Sequence, residues 1–349
     1  MKRVRERGEQ IRRFILENVK EYPIEISKRT ADKFDISRQA VNKHLKRLVE
    51  EGCLVADGKT RNQSYKLAPI LEIRKVYDLG PQNLAEDIIW TNDVRPLLEN
   101  LPENVLGIWQ YGVTEIINNA NDHSGGTQLT VTVSKTAVGT TIIISDNGIG
   151  IFKKIQNELG LIDERHAILE LSKGKLTTDP ARHTGEGLFF TSRLFDSFDI
   201  LSGGVFYTHQ FGVDNDVLLE REKSLLGTHV FLELNNHTAR TTKKIFDQYA
   251  SPEGDYSFNK TIVPVRLAQY GNDKLVSRSQ AKRLLSRVEL FQTVIFDFKE
   301  VSTIGQAFAD EIFRVFASQH PDISLLTNNA NSEVRRMISR ATSGDTKAD

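Results

Sequence analysis

Two glycine pairs constrain this chain most. The first follows an apolar strand, Thr140 to Ser145, as Asp146-Asn147-Gly148-Ile149-Gly150-Ile151. The second, His183-Thr184-Gly185-Glu186-Gly187, opens an apolar helical run from Leu188 to Phe195. A carboxylate at a strand end, followed by two residues without a Cβ, lets a flat ligand lie against the backbone. Glycines at a helix start leave its first amides free to accept phosphate.

Upstream, the helix from Val105 to Ser124 carries Glu115, Asn119 and Asp122 at i, i+4 and i+7. That spacing projects two carboxylates and an amide from one side, while Ile116, Ile117 and Ala120 pack elsewhere. Burying such a stripe is costly unless a cation satisfies it, which hints at Mg²⁺. Strands are expected at Leu129 to Ser134 and Thr140 to Ser145, and Leu226-Gly227-Thr228 opens another.

In this order and spacing the four pieces resemble the GHKL ATPase superfamily, named for gyrase, the ninety-kilodalton heat-shock chaperone, histidine kinases and MutL. The resemblance implies a Bergerat-type α/β sandwich over residues 84–236 that binds ATP with Mg²⁺. It implies that Glu115 is the general base orienting the attacking water, Asn119 the Mg²⁺ ligand, and Asp122 the additional acid of the gyrase and MutL branch. Asp146 would accept a hydrogen bond from the adenine amino group, with Gly148 and Gly150 lining the base pocket and Thr228 supporting it. Gly185 and Gly187 would give phosphate-facing amides. The long polar stretch from Phe152 to Thr184 would be the ATP lid, with Lys173, Lys175 or Arg182 near the terminal phosphate. Without nucleotide, the same pieces describe an ordinary α/β sandwich with glycine turns.

The chain has 46 basic and 46 acidic residues, and that balance hides an asymmetry. Residues 1–67 hold 17 Lys/Arg against 10 Asp/Glu, so the polyanion-binding part is the first fifth. Ile11, Phe14, Ile15, Leu16 and Val19 have helical spacing before Tyr22-Pro23. A second helix spans Ser27 to Phe34, and Ser37 is the N-cap of a third that Gly52 stops. Ser37, Arg38, Gln39, Asn42 and Lys43 then face the major groove, while Lys2, Arg3, Arg5, Arg7, Lys46 and Arg47 are candidates for phosphate. A hairpin with a basic tip, Lys59 and Arg61, follows. The stretch Ile36 to Val55 resembles the winged helix-turn-helix of bacterial and archaeal regulators, which implies DNA binding; the alternative is a protein-contact or dimerisation module.

A histidine kinase needs a phosphoacceptor histidine ahead of its ATPase domain, and only His44 precedes Glu115. It falls inside the third helix. Beyond a polar connector, Asn235 to Phe258, alternating strands and helices imply a small α/β layer over residues 258–342. Val294 to Phe316 resembles a STAS-like domain found attached to GHKL ATPases. In the STAS partners of serine kinases a serine near the start of the following helix accepts phosphate; here Ala307 aligns there, with Ser302 and Thr303 out of register.

The length gives a prior of two or three domains, and the fold class expected is multidomain α/β: winged helix, ATPase sandwich and STAS-like layer. A single cysteine, Cys53, excludes an intrachain disulfide and a cysteine-based zinc site. No window approaches the ~20 apolar residues of a membrane span, and the cytoplasm is the expected location. The function expected is an ATP-binding, DNA-binding regulator, a weak ATPase whose nucleotide state switches contacts between domains or with a second protomer. The alternatives are an anti-sigma-type serine/threonine kinase acting on a STAS partner in trans, and a nucleotide-dependent scaffold that binds protein partners.

Overall fold

The computed structural model describes residues 2–58, 63–80, 84–176, 185–213, 216–250, 258–269 and 274–343. Within them the architecture is mixed α/β, with three sheets. No described helix is long and apolar enough to cross a membrane.

The first unit comprises α1 (Lys2–Asn18), α2 (Ile26–Phe34), α3 (Arg38–Glu50) and the antiparallel pair β1 (Leu54–Asp57) and β2 (Ser64–Leu67). Ile11 and Ile15 of α1 and Val19 just past its end recur every four residues and close on Val41, Leu45 and Leu48 of α3, a core separate from the rest. The Ser37 hydroxyl accepts from the amide of Ala40 at 3.2 Å, the expected cap. Lys59 and Arg61, and the side chains of Lys2, Arg3 and Arg5, lie outside the described residues.

Next come β3 (Leu71–Asp78), α4 (Glu86–Ile89), α5 (Arg95–Leu98), α6 (Glu103–His123), β4 (Gln128–Lys135), β5 (Gly139–Asp146), α7 (Ile151–Leu159), α8 (Glu164–Lys173), α9 (Gly187–Leu194), β6 (Ser197–Gln210), β7 (Val217–Asn235) and α10 (Thr242–Asp247). The five strands form an antiparallel sheet in the order β3-β4-β5-β7-β6. Alternation buries Leu129, Val131 and Val133 of β4 with Ile142 and Ile144 of β5, in one cluster with Ile108, Trp109, Val113 and Ile117 of α6.

The last unit is β8 (Lys260–Pro264), α11 (Arg278–Leu285), β9 (Thr293–Asp297), α12 (Gln306–Asp310), α13 (Ala317–Gln319), β10 (Ser324–Asn328) and α14 (Ser332–Thr342). Its three strands are parallel, in the order β10-β9-β8. A capping box starts α11, with Ser277 and Gln280 bonded reciprocally. The buried apolar cluster is continuous from Ile89 to Ala341, so the second and third units share one core.

Several segments differ from their sequence expectation, among them β7, which begins at Val217 and not at the Leu226 expected to open it. The stretch from Ala68 to about Asn83, which reads in sequence as a connector, contains β3, an edge strand whose exposed Glu72, Arg74 and Lys75 mask its alternation and guard the edge. The connector after Asn235 contains α10. The expected polar lid is partly the buried helix α8, in which every residue from His166 to Lys173 is buried. It is buried because it lies between α7 on one side and β8 of the last unit on the other.

Candidate functional site

The second unit encloses a cavity of about 410 Å³ where α6, the end of β5, α7, the start of α9 and β7 converge. From α6 it takes Tyr111, Glu115, Ile116, Asn119, Ala120 and His123. The wall is an arc of the helix centred near Asn119, so Ile116 and Ala120 belong to it as well as the polar stripe. Asp122 sits just past the edge of that arc, exposed and outside the wall. His123, one residue on, lines the cavity in its place.

At the opposite side Asp146 ends β5, buried. Its Oδ1 accepts the amide of Gly148 at 2.8 Å and that of Thr228 at 3.3 Å. Burial raises its carboxyl above the usual carboxylate range, and these hydrogen bonds offset part of that rise. The Thr228 hydroxyl accepts from the amide of Ile151 at 3.0 Å, tying β7 to the first turn of α7. Ile144, Ile151, Ile155 and Val230 make this end apolar around one carboxylate. Gly148 and Gly150 do not reach the wall but build the turn behind it, with Gly150 the residue before α7. Gly148 is required there because a Cβ would collide with the carbonyl oxygen of Ser124 at the end of α6.

At the waist of the cavity, Gly185, Glu186, Gly187 and Leu188 form the wall where α9 begins. Glu186 precedes α9 and makes no side-chain cap to it. A Cβ on Gly187 would strike the Glu115 carboxylate, which therefore sits directly against the α9 N-terminus. The positive end of the helix dipole favours an anion at this point. Burial raises the Glu186 carboxyl, with Lys175 opposing the rise. Tyr111 is raised by burial and by the charges of Glu115 and Glu186.

Of the sequence-predicted residues, Glu115, Asn119, Asp146, Gly185, Gly187 and Thr228 therefore share one cavity. Sequence reasoning missed Tyr111, His123, Lys154 and Glu186, and the rings Phe246 and Phe258 that close the far end. Tyr111 and His123 continue the four-residue spacing of Glu115 and Asn119; Phe246 and Phe258 have no local signal, since they belong to a stretch that reads as a connector. Lys173 is turned away from the cavity into a buried ion pair, and Lys175 bonds to the carbonyl of Leu290. Arg182 lies outside the described residues.

On the first unit, Ser37, Arg38, Gln39, Asn42 and Lys43 are all exposed on the start of α3. The Asn42 amide oxygen accepts from the Ser27 hydroxyl at 3.2 Å. Arg47 and Lys46 are drawn into ion pairs with Glu51 and Glu50, and Arg7 donates to the carbonyl of Phe34 at 2.8 Å. His44 lies beside Gly8 of α1, and burial together with Arg12 and Arg47 lowers its pKa. In the last unit Ala307 is the second residue of α12, and Ser302 is exposed ahead of it.

Comparison with known protein families matches residues 280–335 to a STAS-like domain of unknown function, DUF4325. The last unit thus carries a STAS-like domain. No curated protein matches the chain.

Proposed function

We propose that the second unit is a Bergerat-type ATP site of the GHKL kind, and that the chain is an ATP-gated regulator that binds DNA through a winged helix-turn-helix at residues 1–67. One observation carries this reading: Glu115, Asn119, Asp146, Thr228 and the α9 N-terminus, scattered over more than 100 residues of sequence, line one cavity. A buried carboxylate in an apolar wall suits the amino edge of a purine base, and a helix N-terminus in the same wall suits phosphates. Among the described residues no group of three or more His, Cys, Asp or Glu is arranged to hold a metal unaided. Mg²⁺ keeps waters and takes much of its shell from nucleotide phosphates, so Asn119 would serve as its protein ligand.

Bound Mg-ATP would supply the phosphoanhydride bond and the cation that neutralises it. The protein's part is to hold the base at Asp146 and Thr228, the phosphates at Gly185 to Leu188, and a water at Glu115. The Glu115 carboxylate takes the proton of that water as it attacks, a general-base role. The exposed basic start of α3 supports DNA binding, since a polar helix start with its own separate core beneath it matches a groove-reading helix.

The experiment is Mg-ATP binding and phosphate release by the wild type, Glu115→Ala and Asp146→Asn. Binding should weaken roughly 10- to 100-fold in Asp146→Asn, as for one hydrogen bond to a charged group, and phosphate release should be lost in Glu115→Ala with binding kept. No binding by the wild type contradicts it. Binding with phosphate transferred to a STAS protein instead of water supports the kinase reading, which has Ala307 against an acceptor within this chain. DNA binding without the salt dependence of phosphate contacts supports the scaffold.

A further inference from the structure

The buried end of α8 connects the cavity to the STAS-like unit. Lys173 Nζ lies 2.8 Å from Glu170 Oε1 and donates to the carbonyls of Ser286 at 2.7 Å and Arg283 at 3.3 Å. The Thr261 hydroxyl, on β8, donates to the Lys173 carbonyl at 2.7 Å. Two residues on, Lys175 Nζ donates to the Leu290 carbonyl at 2.9 Å, and the Arg287 guanidinium donates to the Lys175 carbonyl. Phe258 packs over Gly174 and at the same time lines the cavity. Leu176, which follows Lys175, is also in the cavity wall, and its amide donates to the carbonyl of Gly185 at 3.0 Å.

Lys173 and Glu170 are 1% and 3% exposed, and a buried ion pair is a poor source of stability by itself. Replacing it with apolar residues of similar volume is often neutral, so its presence calls for another reason. Next to it, Glu170 Oε2 and Arg287 Nη1 are 3.7 Å apart, both buried and neither hydrogen-bonded.

We propose that the STAS-like unit is a built-in brace of the cavity, and that Lys173 is its positioning residue. Through Lys173, the turn at residues 283–290 fixes the register of residues 173–176 and with it the wall formed by Leu176 and Gly185. The rate at which the cavity's occupant leaves is therefore set from the STAS-like unit, and by linkage an occupant alters that turn. A protein that grips the STAS-like unit would act on the cavity by this route. The inference rests on the nucleotide reading of the cavity.

The test uses the full chain and a fluorescent ATP analogue with Mg²⁺. Its dissociation rate is measured for the wild type, Lys173→Met and Thr261→Val, and amide exchange at residues 283–290 is followed with and without Mg-ATP. Thr261→Val removes one hydrogen bond across the seam with little change of shape, so it decides the matter if Lys173→Met does not fold. The expected result is release roughly 3-fold faster in Thr261→Val, as for the removal of one hydrogen bond, and about 10-fold faster in Lys173→Met. Slowed exchange at 283–290 on adding Mg-ATP is expected as well; a purely structural role for Lys173 would lower the melting temperature without it. Wild-type release rates in a folded variant, with exchange indifferent to Mg-ATP, overturn the brace while leaving the nucleotide reading intact. A wild type that binds no analogue overturns both.

Discussion

The start of α3 and the cavity both gather polar side chains, and they differ in what water does for them. Arg38, Gln39 and Lys43 are close in sequence and exposed. Asp146 and Thr228 are buried, and they meet Glu115 and Asn119 only through the fold. A solvated basic stripe costs the free protein little whether or not a partner exists, so its meaning rests on charge and position. A buried carboxylate is a standing cost to the free protein, and that cost itself argues for a ligand.

The largest expected effect separates chemistry from binding within the cavity. Glu115→Gln should slow phosphate release by about 10²- to 10⁴-fold, the usual contribution of a general base, with nucleotide affinity nearly unchanged. Single-turnover kinetics beside equilibrium binding checks this; a parallel loss of both would make Glu115 a structural residue of the α9 start.

Asp146→Asn comes next, with affinity for the adenine nucleotide falling roughly 10- to 100-fold, as for one hydrogen bond to a charged group. Its stability effect should run the other way. Burial raises the folded pKa of Asp146, so the folded state favours the protonated form. The group's stabilising contribution is thus complete below the ordinary carboxylate range and lost as pH rises through the raised value. Near neutral pH the ligand-free Asp146→Asn protein should melt no lower than the wild type, and the gap should narrow on acidification. A clearly lower melting temperature near neutral pH would mean that Asp146 is there for the fold.

On the other side of the comparison, Arg38→Ala and Gln39→Ala should weaken DNA binding severalfold each and leave the salt slope nearly unchanged, as for side chains that read base edges. Titration at several salt concentrations distinguishes this from a phosphate contact, whose loss would reduce the slope by about 1. Smallest of all, Ser37→Ala should cost about 1 kcal/mol of stability in the first unit through removal of its N-cap, measured by denaturant unfolding.

Much of the site was legible because its parts are local patterns: a helical stripe, a carboxylate before paired glycines, glycines before an apolar helix. Even so, periodicity alone chose Asp122 where the cavity takes His123, because the arc a wall covers is set by neighbouring elements. The first unit was readable in full order, its helices and hairpin each carrying a cap, a turn or an alternation of their own. What stayed hidden is tertiary. Nothing local marks β3 as a strand, since three exposed residues in a row, Arg74, Lys75 and Val76, break its alternation. Phe246 and Phe258 reach the cavity from a segment polar enough to pass for a linker. Lys173, expected near phosphate on its charge, is claimed by carbonyls more than 100 residues away.

The central claim is that the cavity and the DNA-binding face are coupled, and the most direct measurement is DNA affinity of the full chain with and without saturating Mg-ATP, with Asp146→Asn as control. The account predicts a shift of about tenfold, or roughly 1.4 kcal/mol of coupling, that disappears in Asp146→Asn. Equal affinity in both conditions, from a wild type shown to bind Mg-ATP, would contradict it.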